Sequence, residues 1–342
     1  MKRFLCGLLL VSLLLSGCTA GQKEPEKKQY NASFLTLFDT VTSVVGKAEN
    51  EDAFRETSQA IHDELLQYHQ LFDIYNDYEG VNNLKTVNDN AGIAPVEVDS
   101  RIIALLKDCK TYYELTGGMV NPAMGSVLQL WHVARNDGIN DPANAYLPKQ
   151  EKLTEAAQHM NFDAVVIDEA ASTVYISDEN VRLDVGAVAK GWSVQRVAEH
   201  APSGLLISVG GNVCATGPKD ENGTAWVVGV QDPNGGDSYL HTLTVTKGSV
   251  VTSGDYQRAY MVDGKMYHHI IDPETLMPAA YWRSVTVVCP DSGLADAMST
   301  ALFLLPLEQG MALAEKSNVQ ALWVNAAGEE FMTSRFMEMI RT

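Results

Sequence analysis

Leu183-Asp184-Val185-Gly186-Ala187-Val188-Ala189-Lys190-Gly191 reads as a strand that delivers a carboxylate into a small-residue turn, followed by a helix with a lysine in its first turn. Such a turn can bring backbone N–H groups, a helix N-terminus and an ammonium around a phosphate. A second segment, Asp296-Ala297-Met298-Ser299-Thr300, sets aspartate and threonine at i, i+4 on one helix face, two hard oxygen donors of the kind Mg2+ accepts. Together the segments suggest metal-assisted chemistry on a phosphate-containing ligand. Each also has a plainer use: the glycine turn as simple packing, and Thr300 as a hydroxyl bonding back to the carbonyl one turn earlier.

Other stretches add weaker signals. In Tyr267-His268-His269-Ile270-Ile271-Asp272-Pro273, adjacent histidines on a strand point to opposite sides, so one faces the fold and the other is free to face a ligand. Asp272-Pro273 then turns the chain. Ser208-Val209-Gly210-Gly211-Asn212 follows a strand and permits close backbone approach, and Gly117-Gly118-Met119-Val120-Asn121-Pro122 does so after a helix. Tyr75 sits in a polar loop, where it can stack on a flat ring or simply decorate the surface.

Across the 342 residues acidic side chains outnumber basic ones, 43 to 25, for a net charge of −18. That balance argues against a nucleic-acid partner, and an anionic ligand would need a local cationic pocket or a metal. Lys2 and Arg3 precede an apolar run from Phe4 to Leu15 that is too short for a convincing membrane span, ending in Leu15-Ser16-Gly17-Cys18. This resembles a bacterial lipobox, which implies cleavage before Cys18, lipidation of Cys18 and attachment to the extracytoplasmic face of the cell membrane. Residues 1–17 are thus expected to be a signal peptide, 18–30 a lipidated cysteine and polar tether, and 31–342 the folded body. Cys109, Cys214 and Cys289 form no CxxC pair and read as buried free thiols.

The positioning elements follow from periodicity. Residues 34–46 read as a strand, and Asp52 to Phe72 as a helix with Phe54, Ile61, Leu65, Tyr68 and Phe72 inward. Ser100 can cap a second helix that ends at Gly117-Gly118. Residues 126–160 read as loop-rich and then helical. Beyond Phe162, short β-branched runs alternate with Gly, Asn and Asp turns, interrupted by helices near 187–200, 294–304 and 307–317. Strands in runs with few helices favour α+β: a single two-lobed body with mixed or antiparallel sheets and a cofactor cleft between the lobes.

The order of motifs is itself informative. Phe38-Asp39-Thr40, Ile74-Tyr75-Asn76, Gly118 to Pro122, Asp184 to Gly191, Ser208 to Asn212, His269 to Pro273 and Ala295 to Ala301 together resemble the ApbE-type flavin transferases, the FAD:protein FMN transferases, over about residues 34 to 335. The resemblance implies Mg2+-dependent cleavage of FAD, transfer of FMN to a threonine of a partner protein, and release of AMP. It implies that the Ala187 carbonyl, Asp296 and Thr300 hold the metal. Phe38, Tyr75, Met119, Val120, Asn121, Asp184, Lys190, His269 and Ile271 would bind FAD. The threonine proton needs an acceptor, for which His269 and the pocket aspartates, Asp184 among them, stand as candidates, with Lys190 beside the phosphates.

The family's acceptors carry an Asp-x-x-Ser/Thr-x-Ala-Thr type motif, which Asp296–Leu302 mimics except for its final Leu302, so self-modification there is not expected. Two departures stand out: Phe38-Asp39 where the family has methionine-glycine, and Leu276 where it has glycine after Thr275. Two other readings share much of this pattern. One is an FAD pyrophosphatase that gives FMN and AMP to water; the other is a flavin- or solute-binding lipoprotein without turnover.

Overall fold

The structure is a computed structural model that describes residues 27–236 and 238–341. The expected signal peptide, Cys18 and most of the tether lie outside the described residues. Strand β1 (Lys28–Phe34) forms an antiparallel hairpin with β2 (Thr42–Ala48). The sequence suggested one strand over 34–46. Instead the chain reverses through a short 3-10 turn, Leu37–Asp39, in which Phe38 and Asp39 both adopt left-handed backbone angles. The folded body therefore takes in Lys28 to Tyr30, which composition alone assigned to the tether.

Helix α1 (Glu51–Phe72) begins at Asn50, whose side chain accepts from the Ala53 N–H. Helix α2 (Leu84–Asp89) and strand β3 (Val96–Glu97) lead into α3 (Ser100–Leu115), which is capped by Asp99 rather than Ser100. Helix α4 (Gly125–Asn140) occupies the stretch expected to open as loop. Val127, Trp131 and Ala134 keep helical spacing along its buried side, and Gly138 lets it close on the Tyr260 ring, where a Cβ would sit 2.7 Å from a ring carbon. Helix α5 (Gln150–Ala157), strands β4 (Val165–Asp168) and β5 (Thr173–Ile176), and helix α6 (Ala189–His200) follow.

The second half supplies β6 (Leu205–Val209), β7 (Asn212–Ala215), β8 (Trp226–Gln231), β9 (Tyr239–Val245), β10 (Gly248–Gly254), β11 (Tyr260–Val262), β12 (Lys265–Tyr267) and β13 (Ser284–Cys289). Helices α7 (Ser292–Leu304) and α8 (Leu307–Lys316), strands β14 (Gln320–Val324) and β15 (Glu330–Met332), and helix α9 (Ser334–Met339) complete the chain.

The architecture is α+β, and every pairing between these strands is antiparallel. Eight strands form the central sheet in the order β1-β2-β6-β7-β10-β13-β14-β15. One core cluster joins α1, α3 and α6 to the β2–β6 end, and a second packs α7 and α8 on β13 and β14. The opposite sheet face is covered by the β8–β9 hairpin and α9. Met124, Val127, Trp131, Leu153, Tyr260 and Leu276 build a separate small core from α4, α5 and the β11–β12 hairpin. This is the second lobe, and the main cleft runs between it and the body.

Helix α7 is apolar on nearly every side and almost wholly buried, as expected for a helix sandwiched between a sheet and other helices. That makes its one carboxylate, Asp296, conspicuous. Cys109, Cys214 and Cys289 are free and buried, as composition suggested. No helix among the described residues is long and apolar enough to cross a membrane.

Candidate active site

The cleft has a volume of about 950 Å³, and its wall includes Phe38, Tyr75, Met119, Val120, Asn121, Asp184, Ala187, Lys190, His269, Ile271, Asp296 and Thr300. Residues spread over more than 250 positions of sequence are thus gathered in one place.

Glycine sets up its centre. At Gly191 a Cβ would lie 2.3 Å from the Ser292 carbonyl oxygen and 2.5 Å from the Asp296 Cβ, so only glycine lets α6 approach α7 this closely. The Gly191 N–H then donates to Asp296 Oδ2 at 2.8 Å. Val188, at the start of α6, has no capping side chain, and Asp296 satisfies this first-turn N–H from a different helix. The positive end of the helix dipole helps hold the buried carboxylate, whose side chain is 5% exposed. Lys190 Nζ lies 3.5 Å from the same oxygen and 3.3 Å from the Gly186 carbonyl.

The turn before α6 is not the open N–H cradle that its sequence suggested. Gly186 N–H is taken by Asp184 Oδ1 at 2.8 Å, and the Val188 and Ala189 N–H groups are taken by the Val185 carbonyl. What the turn presents is an ammonium, a carboxylate and carbonyl oxygens. Burial pushes the Asp184 carboxyl above its usual range, against the pull of the Gly186 N–H and nearby cations.

Thr300 does not bond back along its helix. That role falls to Ser299, whose hydroxyl donates to the Asp296 carbonyl at 2.9 Å and meets Ser253 Oγ at 2.8 Å. Thr300 lines the cleft together with Asp296, and a hydroxyl and a carboxylate in one wall suit a hard-oxygen metal site.

The histidine pair divides as expected, although the segment is not a strand: β12 ends at Tyr267, and Ile271 makes only an isolated bridge to Pro278. His268 is fully engaged. Its Nδ1 accepts from the Ile270 N–H, its Nε2–H donates to the Ala279 carbonyl at 2.8 Å, and its ring sits edge-on to Phe303. His269 uses only Nδ1–H, toward the Gln257 carbonyl at 3.2 Å, which leaves the Nε2 lone pair free. Burial, then the Arg258 charge, pulls His269 down to about 3, so the ring is neutral.

Asn121 lines the cleft, but its side chain is occupied. Its Nδ2 donates to the Met160 carbonyl and its Oδ1 accepts from Ala123 N–H, so it offers a ligand backbone rather than amide. Conversely, the buried Asn212 amide nitrogen finds no partner in the protein and leaves a donor in the cleft wall. Tyr75 is 44% exposed and stacks on His132, with ring centroids 4.7 Å apart and planes at 22°. Arg135 donates to His132 Nδ1 at 3.1 Å. Burial, and then the nearby Arg258 charge, lowers Arg135 from its usual range.

The ApbE family profile matches residues 38–323, which span every residue of this cleft. The chain belongs to the ApbE family. It is 36% identical over 260 residues to the FAD:protein FMN transferase of Treponema pallidum, covering 70% of each chain. It is 31% identical over 286 residues to that of Klebsiella pneumoniae, covering 80% of this chain and 86% of the relative. The crystal structure of the Thermotoga maritima ApbE protein superposes with a TM-score of 0.80 at 29% identity, over 92% of this chain and all of that one.

Sequence reasoning about this ApbE-family chain missed four cleft residues: His69, His132, Arg135 and Arg258. His132 and Arg135 stand at i, i+3 on α4, a pairing hidden by reading that stretch as loop. Arg258 enters from a turn in which its own backbone is left-handed, and no local pattern marks it.

Proposed function

We propose that this chain is an FAD:protein FMN transferase that moves FMN from FAD to a threonine hydroxyl of a partner protein, with AMP leaving. The observation that carries this reading is that three cations, Lys190, Arg135 and Arg258, share one cavity with the Asp296–Thr300 oxygen pair, in a chain whose net charge is −18. Such a cavity suits a pyrophosphate with flat rings at both ends.

In this mechanism, Phe38 and Tyr75 offer ring faces, and the backbone at Met119–Asn121 lies against the ligand. Lys190 and the two arginines offset phosphate charge and fix its orientation. The acceptor threonine oxygen attacks the FMN phosphorus. As that P–O bond forms, the bond from phosphorus to the bridging oxygen breaks, and AMP carries the bridging oxygen away. The threonine proton passes to His269 Nε2, whose ring is oriented by the Gln257 carbonyl. Phosphate charge beside His269 raises its basicity. Asp184, with Oδ1 already engaged by Gly186, tunes the field next to Lys190.

The Ala187 carbonyl, the free oxygen of Asp296 and Thr300 Oγ1 would hold Mg2+. Among the described residues no cluster of three or more His, Cys, Asp or Glu side chains is arranged for a metal. A one-carboxylate set fits Mg2+, which commonly draws its remaining ligands from water and substrate phosphates. When bound, the ion supplies charge neutralisation at the pyrophosphate.

The acceptor is a protein bearing an Asp-x-x-Ser/Thr-x-Ala-Thr type sequence, presented at the membrane to which Cys18 tethers the enzyme on the extracytoplasmic face. Residues 1–17 are the removed leader, and 31–342, together with Lys28 to Tyr30, make the catalytic body. The enzyme's own α7 is unsuited as acceptor, since Ser299 and Leu302 are buried in the core. The test is mass spectrometry of an acceptor domain incubated with the protein, FAD and Mg2+. An FMN-sized gain on threonine with AMP release, blocked by EDTA, supports the transferase. AMP and free FMN without an adduct supports a pyrophosphatase, and unchanged FAD supports a binding protein.

A further inference from the structure

Phe38 and Asp39 hold φ of 53° and 54°, two consecutive left-handed residues without a glycine. Side chains disfavour this region sterically, and consecutive occupancy compounds the cost. Both residues line the cleft, so something must hold the turn.

Two side chains reach the Phe38 backbone: Arg258 Nη2 donates to its carbonyl at 3.3 Å, and His69, in the last turn of α1, takes its N–H. The Phe38 N–H donates to His69 Nδ1 at 3.3 Å, and the two rings meet edge-on with centroids 5.5 Å apart. Since a backbone N–H can only donate, Nδ1 must carry no proton, and the neutral ring then bears its hydrogen on Nε2. Nε2 lies 3.3 Å from the Tyr78 hydroxyl, which in turn donates to Asp73 Oδ2 at 2.7 Å. The other Asp73 oxygen accepts from Tyr75 N–H at 2.6 Å and Asn76 N–H at 3.1 Å. One hydrogen-bonded chain therefore runs from the backbone of Phe38 to the backbone of Tyr75, two of the aromatic residues that line the cleft.

The proton assignments along it are mutually consistent. Burial, followed by the bond to Asp73, raises the Tyr78 hydroxyl, so it remains a donor. Burial pushes Asp73 up, but the bonds from Asn76, Tyr75 and Tyr78 outweigh it and leave the carboxyl below its usual range, an acceptor throughout.

We propose that His69 is a positioning residue: through its bare Nδ1 it locks the left-handed Phe38–Asp39 turn, and through Tyr78 and Asp73 it keeps that turn in register with Tyr75, presetting two rings for a planar ligand. The choice of FAD as that ligand rests on the function proposed above.

The experiment uses two substitutions that separate the acceptor from mere bulk. His69→Asn can present an amide oxygen near the Nδ1 position, whereas His69→Leu cannot. Two readouts are taken on the purified protein: amide hydrogen exchange at Phe38 without ligand, and FAD affinity from quenching of flavin fluorescence. His69→Leu is expected to speed Phe38 exchange and weaken FAD binding about tenfold, or about 1.4 kcal/mol. His69→Asn is expected to recover most of both, and adding Asp39→Gly to His69→Leu to recover part, because glycine occupies the left-handed region freely. Unchanged Phe38 exchange in His69→Leu, or equal loss in the asparagine and leucine variants, overturns the brace. If the wild-type protein fails to bind FAD, the ligand assignment falls, while the exchange measurement still decides the brace.

Discussion

Asp296 is expected to have two separable jobs, and substitution can pull them apart. Its Oδ2 caps α6 through Gly191 N–H at 2.8 Å, while its other oxygen is proposed to bind metal beside Thr300. Asp296→Ala removes both roles. A lost cap costs about 0.5–2 kcal/mol, and a hydrogen bond to a charged group is worth about 1.5–3 kcal/mol. Relief of the buried charge offsets part of this loss. The net expectation is a destabilisation of about 1–2 kcal/mol, a fall in Tm of about 1.5–3 °C for a chain of this size. Asp296→Asn keeps a side-chain oxygen for Gly191 N–H and should stay within about 0.5 kcal/mol of wild type. Both variants should lose about 100-fold or more in kcat, because neither offers the metal a carboxylate. The assays are urea unfolding and AMP release from FAD with Mg2+ and acceptor. Equal destabilisation by alanine and asparagine would refute the capping argument, and full turnover in the asparagine variant would refute the metal role.

The remaining expectations concern the same cleft. Gly191→Ala drives a Cβ into the Ser292 carbonyl and Asp296; overpacking of about 1–3 kcal/mol should outweigh the modest gain in helix propensity, and a urea midpoint equal to wild type would argue against it. His269→Gln should cut kcat by about 100-fold or more with FAD affinity largely kept, and a loss confined to affinity would remove its role as base. His269 also predicts a pH effect on stability. Its folded value of about 3 lies below the ordinary 6.5, so below pH 6.5 the unfolded chain gains a proton that the folded chain refuses. Stability should therefore fall as pH drops from about 6.5 toward 3 and stay flat above. Because part of the ring opens on the cleft, the wild type should lose on the order of 1–2 kcal/mol more than His269→Gln between pH 7.5 and 5.0. Arg135→Gln should weaken FAD binding about tenfold and make it less sensitive to salt; an unchanged dissociation constant at low ionic strength would exclude Arg135 from phosphate contact.

Much of this molecule is written locally. Periodic apolar spacing marked α1 and α3, and alternating β-branched runs between Gly and Asp turns marked the second-half strands, because those signals belong to the elements themselves. Residue type also carried the chemistry: Asp184, Lys190, Asp296, Thr300 and His269 all reach one cavity. Tertiary structure decided how each is used. Whether Thr300 is free or bonded back depends on Ser299 and Ser253. Which histidine keeps a free nitrogen depends on carbonyls at Ala279 and Gln257. Nothing near residue 296 in sequence announces that its carboxylate caps a helix beginning at Ala189. Nor does the sequence near Phe38 show that a histidine 31 positions later holds its left-handed turn. Local spacing determines which face of an element is buried, but hydrogen bonds across the chain are fixed only when those elements pack, and those bonds set the direction of each functional atom.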